Sequence, residues 1–598
     1  MSVNQDNFPI YLALVFSTVA LMGYVVCAVA GKARFGWFLR TCYFVAAVSV
    51  TYSFIYLLQQ ILSCARYDIA YIYHYTAPVD PLIYQIAAVW VGPEGCFLLW
   101  AVVTGLFGVA LTRRVGAWGM ALWTLMLGCG LTILTFADPF APKANYSPGA
   151  VGVGANPLLA NPWIAAQAPI ALIGYASACV PAVLCVDSLI CNSLALWPST
   201  VFSWTLLACV ANGVAIGLGM RWSYEVLGNA TYWNWDPTEV AALAVWIALC
   251  VLLHLLFVAH KRRYAMAGSI VVTLAILPLA VYAATARCSG VLSIASEPFP
   301  GISAVLSCAV LLWFLLGGVL VGVKRRAVST VSEVALKRPP EMARNLAHTG
   351  AVILVLGMML SCTGRPRTLV LTEGSPGHSV YGYRLSYEGR HRLSLDKDGF
   401  VLGVRRGDAA FLAPLSIAYG ATSCKGVAKT PFIESTITHD LYISAVKTSA
   451  TTVVPTASIS SEGWYALPVT IPGSESSLTL IGMQVDEGLA KLQYTSSDFG
   501  PVDVLVRAGK PARVDGYTLT FVRFVGINEG SGGASHGVQI AVKGRGLKES
   551  IVARVILVPF MWLIWAGVII VVLGMLVALY SELTRRRGDI GELLPCCD

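Results

Sequence analysis

Long apolar runs alternate with short polar ones through the first 363 residues. Charge-free runs occur near 10–30, 41–62, 95–112, 117–136, 164–186, 201–220, 240–259, 265–285, 301–323 and 346–363, with one more near 555–580. About twenty apolar residues rising 1.5 Å each cross the hydrocarbon layer, so the pattern predicts eleven transmembrane helices. Between the last two runs the pattern changes. Short stretches rich in β-formers recur at 368–372, 440–447, 477–485, 502–507 and 517–524, with Gly, Ser and Pro between them. Three parts are therefore predicted: a transmembrane domain over 1–363, a β-rich domain over 364–553, and a final transmembrane helix with a tail over 554–598. The fold class is an all-α polytopic membrane protein with an inserted extracytoplasmic β-rich domain. Residues 381–387 (Tyr-Gly-Tyr-Arg-Leu-Ser-Tyr) echo 514–521 (Val-Asp-Gly-Tyr-Thr-Leu-Thr-Phe). A two-module repeat and a chance likeness of two strands both account for this.

The basic residues give the orientation. Lys32, Arg34 and Arg40 follow the first run, Arg113 and Arg114 the third, and Lys261, Arg262 and Arg263 the seventh. Lys324, Arg325, Arg326, Lys337, Arg338 and Arg344 lie between the ninth and tenth, and Arg585, Arg586 and Arg587 follow the last. All fall on one side if the N-terminus is outside and the C-terminus cytoplasmic. The predicted location is a multi-pass protein of the cytoplasmic (inner) membrane. Residues 63–94, 137–163, 221–239, 286–300 and 364–553 then face outward.

Composition agrees. Apolar residues are 57% and charged residues 12% of the chain, with mean hydropathy +0.70, which excludes a soluble globular protein. The net charge of +9 is a topology signal and does not argue for nucleic acid. The sixteen Cys contain no CxxC or CxxCH spacing, which argues against a redox dithiol or a heme attached to this chain. Cys596 and Cys597 have no further support as lipid sites. The first run lacks a basic leader, so no cleaved signal peptide is expected.

One external segment stands out. Residues 221–239 read Arg-Trp-Ser-Tyr-Glu-Val-Leu-Gly-Asn-Ala-Thr-Tyr-Trp-Asn-Trp-Asp-Pro-Thr-Glu between two apolar runs. An interfacial aromatic belt accounts for one or two Trp. It does not account for Trp-x-Trp-Asp-Pro followed by an acid. A flat aromatic shelf with fixed polar ends suits a large planar ligand such as a porphyrin, with Trp222, Trp233 and Trp235 as the shelf and Asp236 and Glu239 either fixing its geometry or meeting the polar loops.

Two histidines lie within apolar runs. His254 is six residues before the basic end at 260–263, about 9 Å deep, and His348 is four residues after Arg344, about 6 Å deep. Ionisable residues inside a membrane are functional candidates. Two neutral imidazoles at matched depth fit either a bis-His heme or a hydrogen-bonded pair.

The tryptophan run resembles the WWD domain of heme-handling proteins in cytochrome c maturation, and its Trp-Asp-Pro-x-Glu ending is similar to the CcmF and CcsA branches. Leu346-Ala347-His348-Thr349-Gly350 resembles the CcmF family's Leu-Ala-His-x-Gly segment. Trp90, Glu94-Gly95-Cys96 and Trp100 resemble its Trp-Gly-x-x-Glu-Gly-Ser-Leu-Leu-Leu-Trp segment. Asn156-Pro157-Leu158-Leu159, Gly174-Tyr175, Ser289-Gly290-Val291-Leu292, Ala295-Ser296-Glu297-Pro298 and Asp440-Leu441-Tyr442 match further family segments.

The resemblance implies a heme b held by His254 and His348, with these two residues as iron ligands. It implies a heme lyase (holocytochrome c synthase) step on the outer face, joining heme to a CxxCH apocytochrome c. It also implies a CcmE-type heme chaperone and a CcmH-type thiol-handling subunit as partners. Two family histidines are not in place. Gln167-Ala168-Pro169 stands where His-Pro-Pro is expected, and Ser293-Ile294 leaves no His in the 286–300 loop. External His74 is the candidate substitute, ahead of His378, His391, His439 and His536. The alternatives are a non-catalytic heme-binding scaffold subunit and a heme transporter of CcsA type.

Overall fold

The computed structural model describes residues 5–589, apart from 291–338, 419–427, 528–534 and shorter stretches of one to five residues. The predicted span at 301–323 and residues 291–300 lie outside the described residues, as do Asn156, Pro157, Cys596 and Cys597. The chain forms two compact units. One comprises residues 1–223, 232–358 and 562–598. The other comprises 224–231 and 359–561.

The first unit is helical. Its helices are α1 (Phe8–Ala30), α2 (Gly36–Ser63), α3 (Ala70–Tyr75), α4 (Leu82–Val91), α5 (Pro93–Leu111), α6 (Ala117–Ala137), α7 (Pro162–Ile190), α8 (Trp197–Val226), α9 (Pro237–Ala259), α10 (Arg263–Gly290), α11 (Glu341–Ser361) and α12 (Met561–Asp589). Ten helices among the described residues are long and apolar enough to cross a membrane. The pattern of charge-free runs located each of them. α9 packs along α10, and α1 packs between α2 and α6.

Small residues set the closest approaches. A side chain at Gly350 or Gly357 of α11 would meet the backbone of Val571 or Ile564 of α12 at 2.5 and 2.8 Å. One at Gly567 or Gly574 would meet Leu354 or Ala347 of α11, each at 2.5 Å. The glycines therefore let two backbones touch, as small residues do between membrane helices. Gly574 abuts the residue before His348, so this contact fixes where α11 presents that imidazole.

The α4–α5 corner is built on another close approach. The Tyr71 hydroxyl sits 2.7 and 2.9 Å from the carbonyls of Ala88 and Val89 and accepts from Gly92 N at 3.1 Å. A Cβ on Gly95 would lie 1.8 Å from the Val89 carbonyl and 2.3 Å from the Tyr71 hydroxyl. The Glu-Gly pair before Cys96 thus has a steric reason for its glycine.

The second unit is mainly β. One sheet orders strands Pro366–Thr372, Ser550–Pro559, His439–Thr448 and Phe432–Ser435. A second runs from His378–Val380 through Tyr383–Ser394, Lys397–Arg406 and Ala409–Ala418 to Ala428–Thr430. These two share a core that includes Leu385, Phe400, Leu441 and Val555. A separate core of Leu480, Leu492, Leu519 and Ile540 lies between the remaining sheets. All five stretches chosen for β-formers are strands. The echo of 381–387 in 514–521 is local: each lies at the closed end of a hairpin, Val380 pairing Tyr383 and Val514 pairing Tyr517. Both tyrosines after the turn are buried.

One boundary differs from the sequence expectation. The last membrane helix begins at Met561, because Ser550–Pro559 is a strand paired on both sides, by Pro366–Thr372 and His439–Thr448. Pro559 ends that strand, and Phe560 turns the chain at φ 50°.

Candidate functional site

Two places in the helical unit gather the residues singled out by sequence. The first is the histidine pair. His254 on α9 and His348 on α11 face each other with ring centres 6.0 Å apart and planes at 85°. Each Nδ1 lies against its own helix backbone, 2.7 Å from the Cys250 carbonyl and 2.8 Å from the Arg344 carbonyl. Donation there fixes the tautomer and leaves Nε2 as the lone-pair nitrogen. Neither Nε2 has a partner among the described residues. The rings do not bond to each other and are exposed on the bundle rather than packed in its core. A polar ring within a membrane span is costly without a partner. Two imidazoles that held one metal ion between them, each nitrogen about 2 Å from it, would have ring centres roughly 6 Å apart. The observed separation fits that arrangement.

The second place is a small, partly open cleft between α7, α8, the start of α9 and the end of α10. Gln167, Tyr175, Asn212, Trp233, Glu239 and Arg287 supply its polar lining. Three buried polar atoms there have no partner: Gln167 Oε1, Trp233 Nε1 and Arg287 Nε. Gly219 makes room for Gln167, whose Nε2 would lie 2.5 Å from a Cβ at that position. Arg287 is held by its neighbour: Cys288 is buried and meets Cys96 of α5 at 2.9 Å.

The tryptophan run shapes this cleft through helix-capping chemistry. Asp236 is the N-cap of α9. Its Oδ1 accepts from Thr238 N at 2.7 Å, Glu239 N at 3.0 Å and Thr238 Oγ1 at 2.6 Å. Pro237 fills the first helical position, where no N–H is needed. Glu239, three residues past the cap, reaches back to accept from Asn234 N at 2.8 Å, a variant of the capping box. Asn234 Nδ2 donates to Ser223 Oγ at 2.6 Å, tying the end of α8 to the loop.

The shelf is not flat. Trp233 and Trp235 stand at 85°, with centroids 6.0 Å apart. Trp235 adopts φ 58°, which tips its ring outward until 73% of the residue is exposed. Trp222 is tied elsewhere, its Nε1 donating to the Leu158 carbonyl at 2.7 Å. His74 is exposed at the end of α3, edge-on to Tyr73, and does not line the cleft. Gln167, which stands where the resembled family has histidine, does line it. Sequence reasoning missed Arg287. The signal was a lone arginine at the end of an apolar run, on the side otherwise poor in basic clusters.

The first half of the tryptophan segment belongs to the β unit. Asp440, Tyr442 and Ser444 alternate along one strand and so share a face. That face grips residues 224–231. Tyr224 Oη donates to Asp440 at 3.0 Å, Tyr442 Oη to the Tyr224 carbonyl at 3.1 Å and Ser444 Oγ to the Gly228 carbonyl at 2.7 Å. Arg554 adds a bond to Asn229 Oδ1 at 2.8 Å. Burial pushes the Tyr442 hydroxyl up, and burial followed by the charge of Arg554 pulls the Lys429 ammonium down. The opposite face, Leu441, Ile443 and Ala445, fills the core. His439 is bound to Tyr383 at 3.2 Å.

Known proteins resemble this chain as follows. The family model for cytochrome c assembly proteins matches residues 90–289. CycK of Bradyrhizobium diazoefficiens is 29% identical over 277 residues, 44% of this chain and 41% of that protein. A protein called ccl1 from Rhodobacter capsulatus is 28% identical over 347 residues, 54% and 50% of the two chains. CcmF of Pseudomonas fluorescens is 28% identical over 326 residues, 52% and 48%. All three are described as cytochrome c-type biogenesis proteins. The chain spans about half the length of the curated relatives it matches. A solved structure, cytochrome c heme lyase CcmF, shares the fold at a TM-score of 0.57 and 16% identity, covering 96% of this chain and 97% of that one.

Proposed function

Because the chain belongs to the CcmF family of cytochrome c-type biogenesis proteins, we propose that it is the heme lyase component of cytochrome c maturation. The observation that carries this is the histidine pair, with ring centres 6.0 Å apart and both Nδ1 atoms turned to their own helices. His254 and His348 would hold a heme b through Nε2, and a heme bound there supplies one-electron redox chemistry. The carbonyls of Cys250 and Arg344 orient the two rings.

The reaction served is thioether formation on the outer face. Each cysteine S–H of the CxxCH peptide adds across a heme vinyl group. A C–S and a C–H bond form, the S–H bond and the vinyl π bond are lost, and no net oxidation occurs. The chain contributes position rather than a nucleophile. Trp233 and Trp235 supply ring faces, Gln167 supplies a polar contact, and Asp236 and Glu239 hold the loop. The polar ring of the cleft and the basic clusters support a site on the outer side, with the N-terminus outside and the C-terminus cytoplasmic. A CcmE-type chaperone and a CcmH-type subunit would deliver heme and the reduced peptide.

The test of the histidine pair is optical. The purified protein should carry one non-covalent, low-spin heme. His254→Ala and His348→Ala should each abolish that spectrum, and normal heme content in both would sink the assignment. One observation favours a second reading. Gln167 is a poor iron ligand, so the chain would hold heme as a scaffold while another subunit performs the addition. Reconstitution separates the two. In reconstitution with partners, His74→Ala should lower holocytochrome yield if this chain is the lyase and leave it unchanged if His74 plays no part. A wild-type chain that yields no holocytochrome at all supports the scaffold.

A further inference from the structure

We propose that Arg287 is the carboxylate-binding residue of the tryptophan cleft, and that with Trp233 it selects a planar cargo by its acid side chains. The inference rests on the heme-handling reading above and names the contact that reading lacks. Sequence resemblance directs attention to aromatic shelves and iron ligands. The cleft presents something else: two hydrogen-bond donors with nothing to donate to.

Arg287 Nε and Trp233 Nε1 are both buried, both unpartnered, and both on the lining of the same cleft. Buried donors are nearly always satisfied, so two in one cleft mark a ligand acceptor. Among the described residues Arg287 makes no ion pair. A guanidinium and an indole have no acceptor capacity, so the ligand group facing them must be an acceptor. A carboxylate matches best, because arginine presents a planar donor fork to it and the bond is charge-assisted.

The other acid in the cleft does not fill this role. Glu239 is turned to the start of α9, where it accepts from Asn234 N at 2.8 Å, and it makes no bond to Arg287. Gln167 Oε1 supplies the complementary need, an acceptor without a donor. The cleft thus asks for a ligand with an acidic edge at Arg287 and a face against Trp233. A porphyrin dicarboxylic acid has both. Arg287 is also anchored well enough to discriminate, since Cys288 packs against Cys96 at 2.9 Å.

The test titrates hemin and hemin dimethyl ester, which differ only at the carboxylates, into the full-length detergent-purified protein carrying its resident heme. Binding is read by difference absorbance. The wild type should take the free acid about tenfold or more tightly than the diester, the scale of one charge-assisted hydrogen bond. Arg287→Gln should bring the two affinities within about threefold, Arg287→Lys should keep most of the preference, and Trp233→Phe should reduce it partway. An unchanged resident-heme spectrum shows that each variant is folded. Should Arg287→Gln fail to fold, the wild-type comparison together with Trp233→Phe decides. Equal affinity of the wild type for acid and ester overturns the role of Arg287 while leaving the heme-handling reading intact, as does a preference that survives Arg287→Gln. Binding of neither compound overturns both.

Discussion

Replacing Asp236 separates two roles that a Trp-Asp-Pro-x-Glu motif can serve. If the carboxylate contacts cargo, its charge is indispensable. If it is the N-cap of α9, an acceptor of the right shape suffices. Oδ1 accepts from two backbone N–H groups, Thr238 at 2.7 Å and Glu239 at 3.0 Å. Asp236→Ala orphans both, and losing an N-cap costs about 0.5–2 kcal/mol. It also removes the charge that complements the helix dipole, about 0.3–1 kcal/mol more. A change of one to two kcal/mol shifts a local equilibrium about five- to thirtyfold. Asp236→Asn keeps the acceptor and loses only the charge, a change of about two- to fivefold. Hydrogen–deuterium exchange of a peptide covering 233–242, in detergent or a lipid disc, reads this directly. Exchange in the first turn of α9 should speed by about tenfold or more in the Ala variant, clearly less in the Asn variant, with cytochrome c yield following the same order. Equal exchange in the two variants would refute capping. Protected amides in Asp236→Asn together with lost yield would show that the charge itself is used.

Three further outcomes are expected. Asn229→Cys, in a background without reactive native cysteines, should be labelled by a membrane-impermeant thiol reagent in intact cells; labelling only after lysis would reverse the orientation. Gln167→His should place an imidazole in the cleft and tighten ferric heme binding with a low-spin shift in the difference spectrum, and an unchanged titration would mean that Gln167 does not face the cargo. Gly95→Ala puts a methyl 1.8 Å from the Val89 carbonyl, which no side-chain motion relieves. It should cost more than about 4 kcal/mol and nearly abolish folded protein in the membrane fraction; wild-type levels would contradict the tight α4–α5 corner.

Most secondary structure was legible in the sequence because it depends on local patterning. Charge-free runs of membrane length found the ten described spans, and β-rich stretches found five of the strands. The cap of α9 is similarly local, since Asp236, Pro237 and Glu239 act within one helical turn. The boundary at 555 was not legible. Residues 555–558 are a short apolar run, and such a run reads equally as the start of a helix or as a buried strand. Pairing with two strands from distant parts of the chain decided it.

The two sites divide along the same line. Depth along each helix follows from counting residues, so His254 and His348 were matched before any fold was known. Their facing each other depends on how α9 and α11 pack, which glycine contacts with α12 help to set. The angle between Trp233 and Trp235 comes from one left-handed residue, a conformation that side-chain pattern does not encode. Arg287 looked like a lone charge at the end of an apolar run. Only the tertiary structure brings its unpaired donor beside that of Trp233, because the elements that carry them meet through packing rather than through sequence proximity.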